Sequence, residues 1–205
     1  VRYAPSPGAE PREATLLEAL NDWLERMQVT PSLTIEPLEH IVYTAAVQSR
    51  SVTSRPVNLA QVGFGVSQLL PVLVMGLKQP QDAWVLFEQP EIHLHPRLQA
   101  ELGDFLLSIA GGGKTMFVET HSDHLVNRIR RRIAEDETGT LSRLVQILFV
   151  HAGTEENPSS YVETLQVDES GVIVNCPPDF FPEAADEAFA ILRARQRKSG
   201  RPPAP

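Results

Sequence analysis

The 205-residue chain lacks several features that define common protein classes. Its single cysteine, Cys176, cannot form a disulfide within the chain, so a reducing cytoplasm is the simplest setting. No apolar run approaches the roughly 20 residues of a membrane-spanning helix, and no signal peptide is visible. The net charge of -8 makes the chain as a whole a poor nucleic-acid binder. The composition, 42% apolar, instead fits one compact domain with small attachments.

The chain also lacks a phosphate-binding P-loop, although Gly111-Gly112-Gly113-Lys114-Thr115 is similar to one. That motif requires a glycine where this chain has Ser108, and it lies between a strand and a following helix. Here the predicted order is helix, glycines, strand. We therefore interpret the run as a helix C-cap and a tight turn. The chain starts at Val1 with loop-like residues, so we expect a fragment of a longer protein.

Hydrophobic periodicity predicts an α/β fold. Apolar residues at helical spacing predict helices at 13–27, 97–109 and 123–135, and an apolar stretch predicts a buried helix at 69–77 with Pro71 in its first turn. Short apolar runs predict buried strands at 84–87, 114–119 and 144–150. Because these strands alternate with helices, we expect a parallel sheet. Two β-like runs, at 34–36 and 41–44, precede them.

The last part of the chain predicts a small appendage. Runs at 161–167 and 172–174 flank Asp168-Glu169-Ser170-Gly171, which predicts a β-hairpin. A final helix is predicted at 183–196, followed by a basic, proline-rich and disordered tail at 197–205. We therefore divide the chain into a lead-in of a helix and strands (1–57), a central α/β lobe (58–155) and an appendage with its tail (156–205).

Acidic and imidazole side chains crowd the end of the first predicted parallel strand, in the sequence Val85-Leu86-Phe87-Glu88-Gln89-Pro90-Glu91-Ile92-His93-Leu94-His95-Pro96. Ligands bind at this edge of open parallel sheets. The stretch resembles the Walker B segment of the ABC-type ATPases, including their SMC, RecF and OLD relatives. The resemblance implies that Glu88 holds Mg²⁺, usually through a water.

Gln89 stands where that superfamily usually has its catalytic glutamate. A neutral amide cannot accept a proton, but it can orient a water. Glu91 lies two residues further on and could take the duty of the base. The resemblance therefore implies catalytic roles for Glu88, Gln89 and Glu91, and it leaves the identity of the base open.

Two further segments resemble motifs of the same ATPases, in the same order. Glu119-Thr120-His121-Ser122-Asp123 resembles the switch-histidine loop, which implies that His121 contacts the γ-phosphate. Val62-Gly63-Phe64-Gly65-Val66-Ser67-Gln68 resembles the signature motif, with Gly63 in place of its usual serine. This implies that Gly63, Gly65, Ser67 and Gln68 close over ATP held by a second subunit, because glycines admit close backbone approach and a helix N-terminus offers N–H donors. His95 takes the place of the D-loop aspartate.

A closer likeness is to a bacterial group of AAA/OLD-like ATPases with the runs E-Q-P-E-x-H-L-H-P and E-T-H-S-D-H-L and a small uncharacterised C-terminal domain. Residues 172–181 resemble the core motif of that domain, with Cys176 where an aromatic residue is common. The implied fold is the parallel-sheet C-terminal lobe of a P-loop ABC-type ATPase head with a hairpin-plus-helix appendage. The Walker A motif is expected upstream of Val1.

The function implied by the resemblance is ATP binding and hydrolysis with Mg²⁺. Two heads, in a homodimer, would associate around ATP, and the cycle would serve DNA repair or phage defence with a DNA or nuclease partner. One alternative is a non-hydrolysing dimerisation or regulatory lobe, which Gln89 favours.

Other interpretations of the same residues stay open. A metal-dependent hydrolase could use imidazoles and carboxylates as ligands, from His93, His95, His121, His124, Glu88, Glu91 and Asp123. The arginine run at 128–132 is either a solvated face or a nucleic-acid contact. Glu88 could instead cap a helix, and Gly63 and Gly65 could merely form a turn.

Overall fold

The computed structural model describes residues 1–39, 42–48, 55–153, 158–178 and 180–181. The described residues form two compact units, one from those of 1–145 with 169–171 and the other from those of 146–168 with 172–178 and 180–181. Within the described ranges, no helix is both long and apolar enough to cross a membrane. The predicted helix at 183–196 and the predicted tail at 197–205 lie outside the described residues.

The first unit combines short antiparallel pairs, one parallel strand pair and several helices. In chain order its described elements are β1 (Arg2–Tyr3), β2 (Arg12–Glu13), α1 (Leu16–Arg26), β3 (Leu33–Glu39), β4 (Val42–Val47), β5 (Val57–Asn58), a 3₁₀ turn (Leu59–Gln61), α2 (Phe64–Lys78), β6 (Trp84–Glu88), α3 (Pro96–Gly111), β7 (Thr115–Glu119), α4 (Asp123–Glu135) and α5 (Thr140–Leu144). β1 pairs with β2, β3-β4-β5 form an antiparallel sheet in that order, and β6 pairs with β7 in parallel. The first predicted β-like run lies in β3, and residues 42–44 of the second lie in β4.

Helices α1, α2 and α3 enclose the core of this unit. Trp23 of α1 packs edge-on against Phe105 of α3, with ring centroids 5.3 Å apart, and Leu73 of α2 is fully buried in the same cluster. Each such burial stabilises the fold by about 1.5–3 kcal/mol. The predicted helices at 13–27, 97–109 and 123–135 are confirmed as α1, α3 and α4. Helix α1 starts later than predicted because Thr15 and Glu18 form a capping box there.

Helix α2 is longer than the sequence predicted. It begins at Phe64 rather than near residue 69, so Pro71 lies in the helix interior and the prediction that it lies in the first turn is wrong. A proline there leaves the Ser67 carbonyl without its helical donor, at a cost of about 3 kcal/mol. The Pro71 side chain itself is exposed, and buried Leu69, Leu73 and Leu77 hold the helix against the core.

The described residues cover only one face of the parallel pair β6–β7. Trp84 and Leu86 of β6 are 71% and 74% exposed, and Phe117 of β7 is 48% exposed. Trp84 and Phe117 contact each other across the strands, with ring centroids 5.4 Å apart. The prediction of strands buried on both faces is therefore wrong for this chain as described, because nothing in it covers the alternate residues on that side.

The second unit contains an antiparallel pair instead of the predicted third parallel strand. β8 (Ile147–His151) pairs with β9 (Tyr161–Leu165), and Leu144 ends helix α5 rather than starting a strand. The prediction of a three-stranded parallel sheet is wrong for the described residues. β8 pairs with β9 because a short connection lets β9 fold back on it, whereas pairing with a parallel neighbour requires a long crossover.

The predicted hairpin around residues 168–171 is only partly present. The turn forms, because the Asp168 N–H donates to the Val172 carbonyl at 2.9 Å and Gly171 adopts a φ of 74°. Beyond the turn, a single bridge joins Val167 to Ile173, and residues 172–174 do not form a strand. Residues 161–165 pair with β8 instead.

Candidate functional site

The predicted strand ends meet at one edge of the parallel pair. β6 and β7 pair in register from Trp84 with Thr115 to Glu88 with Glu119, so both strands finish at the same edge. His121 follows Glu119 by two residues. The expectation that the acid closing one strand and the imidazole following the other lie at one rim of one sheet is confirmed. Glu88, Glu119 and His121 are all exposed there.

The loop between β6 and α3 has an unusual backbone that hydrogen bonds hold in place. Gln89 and His93 adopt left-handed conformations, with φ of 45° and 64°. Such conformations are costly for residues other than glycine and persist where the surroundings enforce them. The Gln89 N–H donates to the Glu119 carbonyl at 2.9 Å, and the Leu94 N–H donates to the Glu91 carbonyl at 3.0 Å. The loop is therefore anchored to the end of β7.

Glu91 is buried and connects the two loops of the site. Its Oε1 accepts hydrogen bonds from the Thr120 hydroxyl at 2.8 Å and from the His121 N–H at 2.9 Å. The residue is 6% exposed, and its Oε2 has no hydrogen-bond partner among the residues that the structure describes. This position lets Glu91 fix the backbone that carries the imidazole. A role as the base that contacts the attacking water stays a prediction.

A second contact between the same loops runs through Gln99 of α3. The Gln99 side chain donates to the Leu94 carbonyl at 2.9 Å and accepts from the Ser122 hydroxyl at 2.6 Å. Ser122 in turn caps α4 by accepting from the Leu125 N–H. The loop after β6 and the loop after β7 are thus held to each other at two points, Glu91 and Gln99.

Glu119 lies at the same edge, although no motif of the sequence points to it. Its Oε1 accepts from the Gln89 side-chain amide at 3.4 Å and lies 3.9 Å from the His121 imidazole Nε2. The signal that could have found it is the strand register, because two parallel strands that each end in glutamate place both acids at one edge. Exposed carboxylates of this kind are the ligands that Mg²⁺ prefers.

The predicted signature residues lie at the start of α2. Gly63 is the N-cap, with no side-chain cap, and an added Cβ there would meet nothing within 4 Å in the described structure. A Cβ on Gly65 would lie 3.2 Å from the His93 carbonyl oxygen, so this glycine packs against the β6–α3 loop. Ser67 and Gln68 lie within the first two turns of the helix. The N-terminal N–H groups of a 15-residue helix point from this position.

His95 has a structural contact at the position matched to the D-loop. It is the N-cap of α3, and its Nδ1 accepts from the Arg97 N–H at 3.3 Å, with Pro96 as the first helical residue. The imidazole is exposed, so capping leaves its other nitrogen facing solvent.

Lys114 has a structural role that explains the glycine run. Helix α3 ends at Gly111, Gly113 adopts a φ of 86°, and β7 starts at Thr115, so the predicted order of helix, glycines and strand is confirmed. The Lys114 Nζ donates to the carbonyls of Gly76 and Leu77 at 3.0 and 3.2 Å, at the end of α2. Burial lowers the pKa of this amine. Lys114 is therefore directed at a helix C-terminus and not at a phosphate site.

The alternative interpretations find little support in the geometry. Among the residues the structure describes, no group of three or more histidine, cysteine, aspartate or glutamate side chains is arranged to hold a metal ion.

The arginines of α4 are paired within the chain. Arg128 and Arg132 bind the fully buried Asp104 at 2.9 and 2.6 Å. Arg131 binds Glu135, and Arg130 donates to the Gly171 carbonyl. Asp104 also raises the pKa of Arg132 through its hydrogen bonds.

Comparisons with known proteins bear on the class of protein and on part of the fold. Residues 47–127 match the family model described as "AAA domain, putative AbiEii toxin, Type IV TA system". That segment includes the α2 N-terminus, β6 with its loop, and the His121 loop. No curated protein matches the sequence significantly.

A solved structure is similar in fold, with a TM-score of 0.50 and 12% sequence identity, over 87% of this chain and 91% of the matched chain. It comes from work on the structural biochemistry of ATP-driven dimerization and DNA stimulated activation of SMC ATPases. The chain therefore has a mixed α/β fold similar to that of an SMC ATPase, and it contains a segment similar to an AAA ATPase family.

Proposed function

We propose that this chain is the C-terminal lobe of an ABC-type ATPase that binds and hydrolyses ATP. The observation that carries the proposal is the meeting of Glu88, Gln89, Glu119 and His121 at one edge of the β6–β7 pair. The contact between Gly65 and the loop after β6 supports it further, because it brings the uncapped α2 N-terminus to that loop.

Each side chain at the edge has a chemical role suited to it. Glu88 would hold Mg²⁺ through a water, and the bound ion would neutralise charge on the phosphates. Gln89 would orient the attacking water. His121 would contact the γ-phosphate. Glu91 would hold the His121 backbone in place by accepting a hydrogen bond from the His121 N–H. The exposed Glu88 carboxylate fits this ion, since hard oxygen ligands are what Mg²⁺ requires.

The uncovered face of β6–β7 supports the inference that a second part of the ATPase packs against this chain. Parallel strands are normally covered on both faces, and Trp84, Leu86 and Phe117 present an apolar surface instead. We infer that a P-loop half with a Walker A motif, which the 205 residues do not contain, packs on this face. The sheet of the proposed head would then continue from β6 or β7.

In the same proposal, two heads associate around ATP. Gly63, Gly65, Ser67, Gln68 and His95 would face the nucleotide of a second copy, and hydrolysis would release the two copies. The description of the matched family names a toxin and a type IV toxin–antitoxin system, and the similar SMC ATPases are described as stimulated by DNA. Phage defence or DNA repair, with a DNA or nuclease partner, is the corresponding role proposed for this protein.

The test uses the intact ATPase, meaning this chain together with the P-loop half that the proposal requires. Glu88→Gln should nearly abolish ATP turnover, measured by phosphate release. His93→Asn is the matched control, because asparagine tolerates the left-handed backbone of that position. Equal losses in both variants would favour the metal-dependent hydrolase. This chain alone should not bind ATP in a calorimetric titration.

A second candidate function is a dimerisation or regulatory lobe that binds ATP without hydrolysing it. The observation in its favour is Gln89, which provides no base where related ATPases have an acid. An intact protein that binds ATP but releases no phosphate under any condition tested would establish this alternative and exclude the first.

A further inference from the structure

Glu119 lies where a base would be needed if Gln89 provides none. It is the Cα partner of Glu88, and its side chain is 59% exposed at the strand edge. Its Oε1 accepts from the Gln89 amide at 3.4 Å and lies 3.9 Å from the His121 Nε2. Glu119 thus contacts the Gln89 side chain and lies near the His121 imidazole. The proposed function directs Gln89 at the attacking water and His121 at the γ-phosphate.

We propose that Glu119 is the general base of ATP hydrolysis and replaces the carboxylate that Gln89 lacks. The inference rests on the proposed function. The Gln89 amide nitrogen donates to Glu119, which leaves the amide oxygen available to accept a hydrogen bond from the attacking water. A water bound to that oxygen would sit on the same amide group that contacts Glu119 at 3.4 Å, and proton transfer requires a carboxylate in hydrogen-bond reach of it.

The proposed step transfers one proton to Glu119. The water oxygen forms a bond to the γ-phosphorus of ATP, and the bond from that phosphorus to the bridging oxygen breaks, with its electron pair leaving on ADP. One proton of the water passes to the Glu119 carboxylate, and the other stays on the phosphate. Glu119 then returns its proton to water when the products leave.

The other acids described at this edge are committed elsewhere. Glu91 is buried, and its Oε1 already accepts from Thr120 and His121. Glu88 would be occupied with holding Mg²⁺ through a water. Asp123 opens α4 and lies 3.7 Å from the His124 imidazole. Glu119 is the carboxylate that combines exposure with a contact to Gln89.

The experiment moves the carboxylate between two positions in the intact ATPase. Glu119→Gln should lower kcat by about 100-fold or more, the size of effect that general bases provide. The double variant Glu119→Gln with Gln89→Glu should recover turnover, because it restores one carboxylate and one amide in exchanged places. Glu137→Gln removes an exposed carboxylate beyond the far end of α4 and should leave kcat unchanged.

A readout other than turnover accompanies these rates. The Kd for ATP with Mg²⁺, measured by calorimetry, should be unchanged in Glu119→Gln, and the nucleotide recovered from its complex should be ATP rather than ADP. Circular dichroism checks that each variant folds.

The outcomes separate this inference from the proposed function. Full turnover in Glu119→Gln, a loss of ATP binding in it, or no recovery in the double variant each overturns the role of Glu119 as base. If Glu88→Gln still abolishes turnover in those cases, the ATPase assignment stands. A wild-type protein that neither binds nor hydrolyses ATP would overturn both.

Discussion

Replacing Lys114 with methionine distinguishes a structural lysine from a phosphate-binding one. Lys114 is 5% exposed, and its Nζ donates to the carbonyls of Gly76 and Leu77. Both carbonyls belong to the last turn of α2, which ends at Lys78, so they have no donor within the helix. Methionine keeps the apolar stem of the side chain and removes both hydrogen bonds.

The expected loss follows from two opposing contributions. A hydrogen bond to a charged group contributes about 1.5–3 kcal/mol, so two of them contribute about 3–6 kcal/mol. The buried ammonium costs several kcal/mol in lost hydration, and methionine avoids that cost. We therefore expect a net loss of about 2 kcal/mol in the free energy of unfolding. With a urea m-value of about 2 kcal/mol/M, the unfolding midpoint falls by about 1 M.

Lys78→Met is the matched control. It removes the same charge from the same end of α2, but from an exposed side chain, and should cost only about 0.3–1 kcal/mol through the helix dipole. Urea unfolding followed by circular dichroism measures both variants. ATP binding by the intact ATPase should be unchanged in Lys114→Met. A tenfold or greater loss of ATP binding with an unchanged urea midpoint would refute the structural role.

The pKa of Lys114 gives the same variant a signature in pH. Burial lowers the native pKa below the ordinary value of 10.5, so the unfolded chain holds this proton more tightly. Stability from this group therefore rises with pH between the lowered native pKa and 10.5, and is independent of pH below that interval. Lys114→Met should abolish this rise in the urea midpoint, and Lys78→Met should retain it.

Three further predictions concern the loops, the buried acid and the uncovered face. Glu91→Gln should keep most ATP turnover because the amide oxygen can still accept from Thr120 and His121, whereas Glu91→Ala should lose it; equal losses in kcat would instead indicate a base. Asp104→Asn should lower the free energy of unfolding by about 3–5 kcal/mol in urea, since it breaks a buried ion-pair cluster. Phe117→Ser should weaken binding of this chain to its P-loop half by about 1.5–3 kcal/mol, measured by calorimetry. Because Phe117 also contacts Trp84, the same variant should lower the free energy of unfolding by about 0.5–1.5 kcal/mol.

The sequence predicted the elements whose signals are local. Helix α4 has the predicted bounds, 123–135, because Ser122 caps it and Leu125, Val126 and Ile133 repeat at helical spacing. The parallel pairing of β6 with β7 was predicted from the α3 crossover between them, and the register confirms it. The acid and the imidazole at the strand ends could be placed together on that basis alone.

The errors arose where a non-local partner decides the structure. The run at 144–150 has the composition of a buried parallel strand. Its residues 147–151 instead pair antiparallel with β9, which follows later in the chain. Periodicity cannot distinguish these partners. The predicted start of α2 is wrong for a similar reason: a proline favours the first turn of a helix, but packing of Leu69, Leu73 and Leu77 in the core holds the helix together through Pro71. Glu119 was missed because its significance depends on its neighbour in the sheet, Glu88.

Gly63 and Gly65, the two glycines at the start of α2, are required for different physical reasons, although the motif pattern does not distinguish them. Gly65 is required by packing, because a side chain there would press on the His93 carbonyl, whose left-handed residue sets the path of the β6–α3 loop. Gly63 has no such constraint in the described structure, and its φ of -56° suits any residue. Packing and backbone strain therefore do not explain Gly63; the proposed function would explain it, because it brings a ligand close to the α2 N-terminus. Gly65 thus packs the helix against the β6–α3 loop, and in the proposed function Gly63 would leave the first N–H groups of the helix accessible to a ligand.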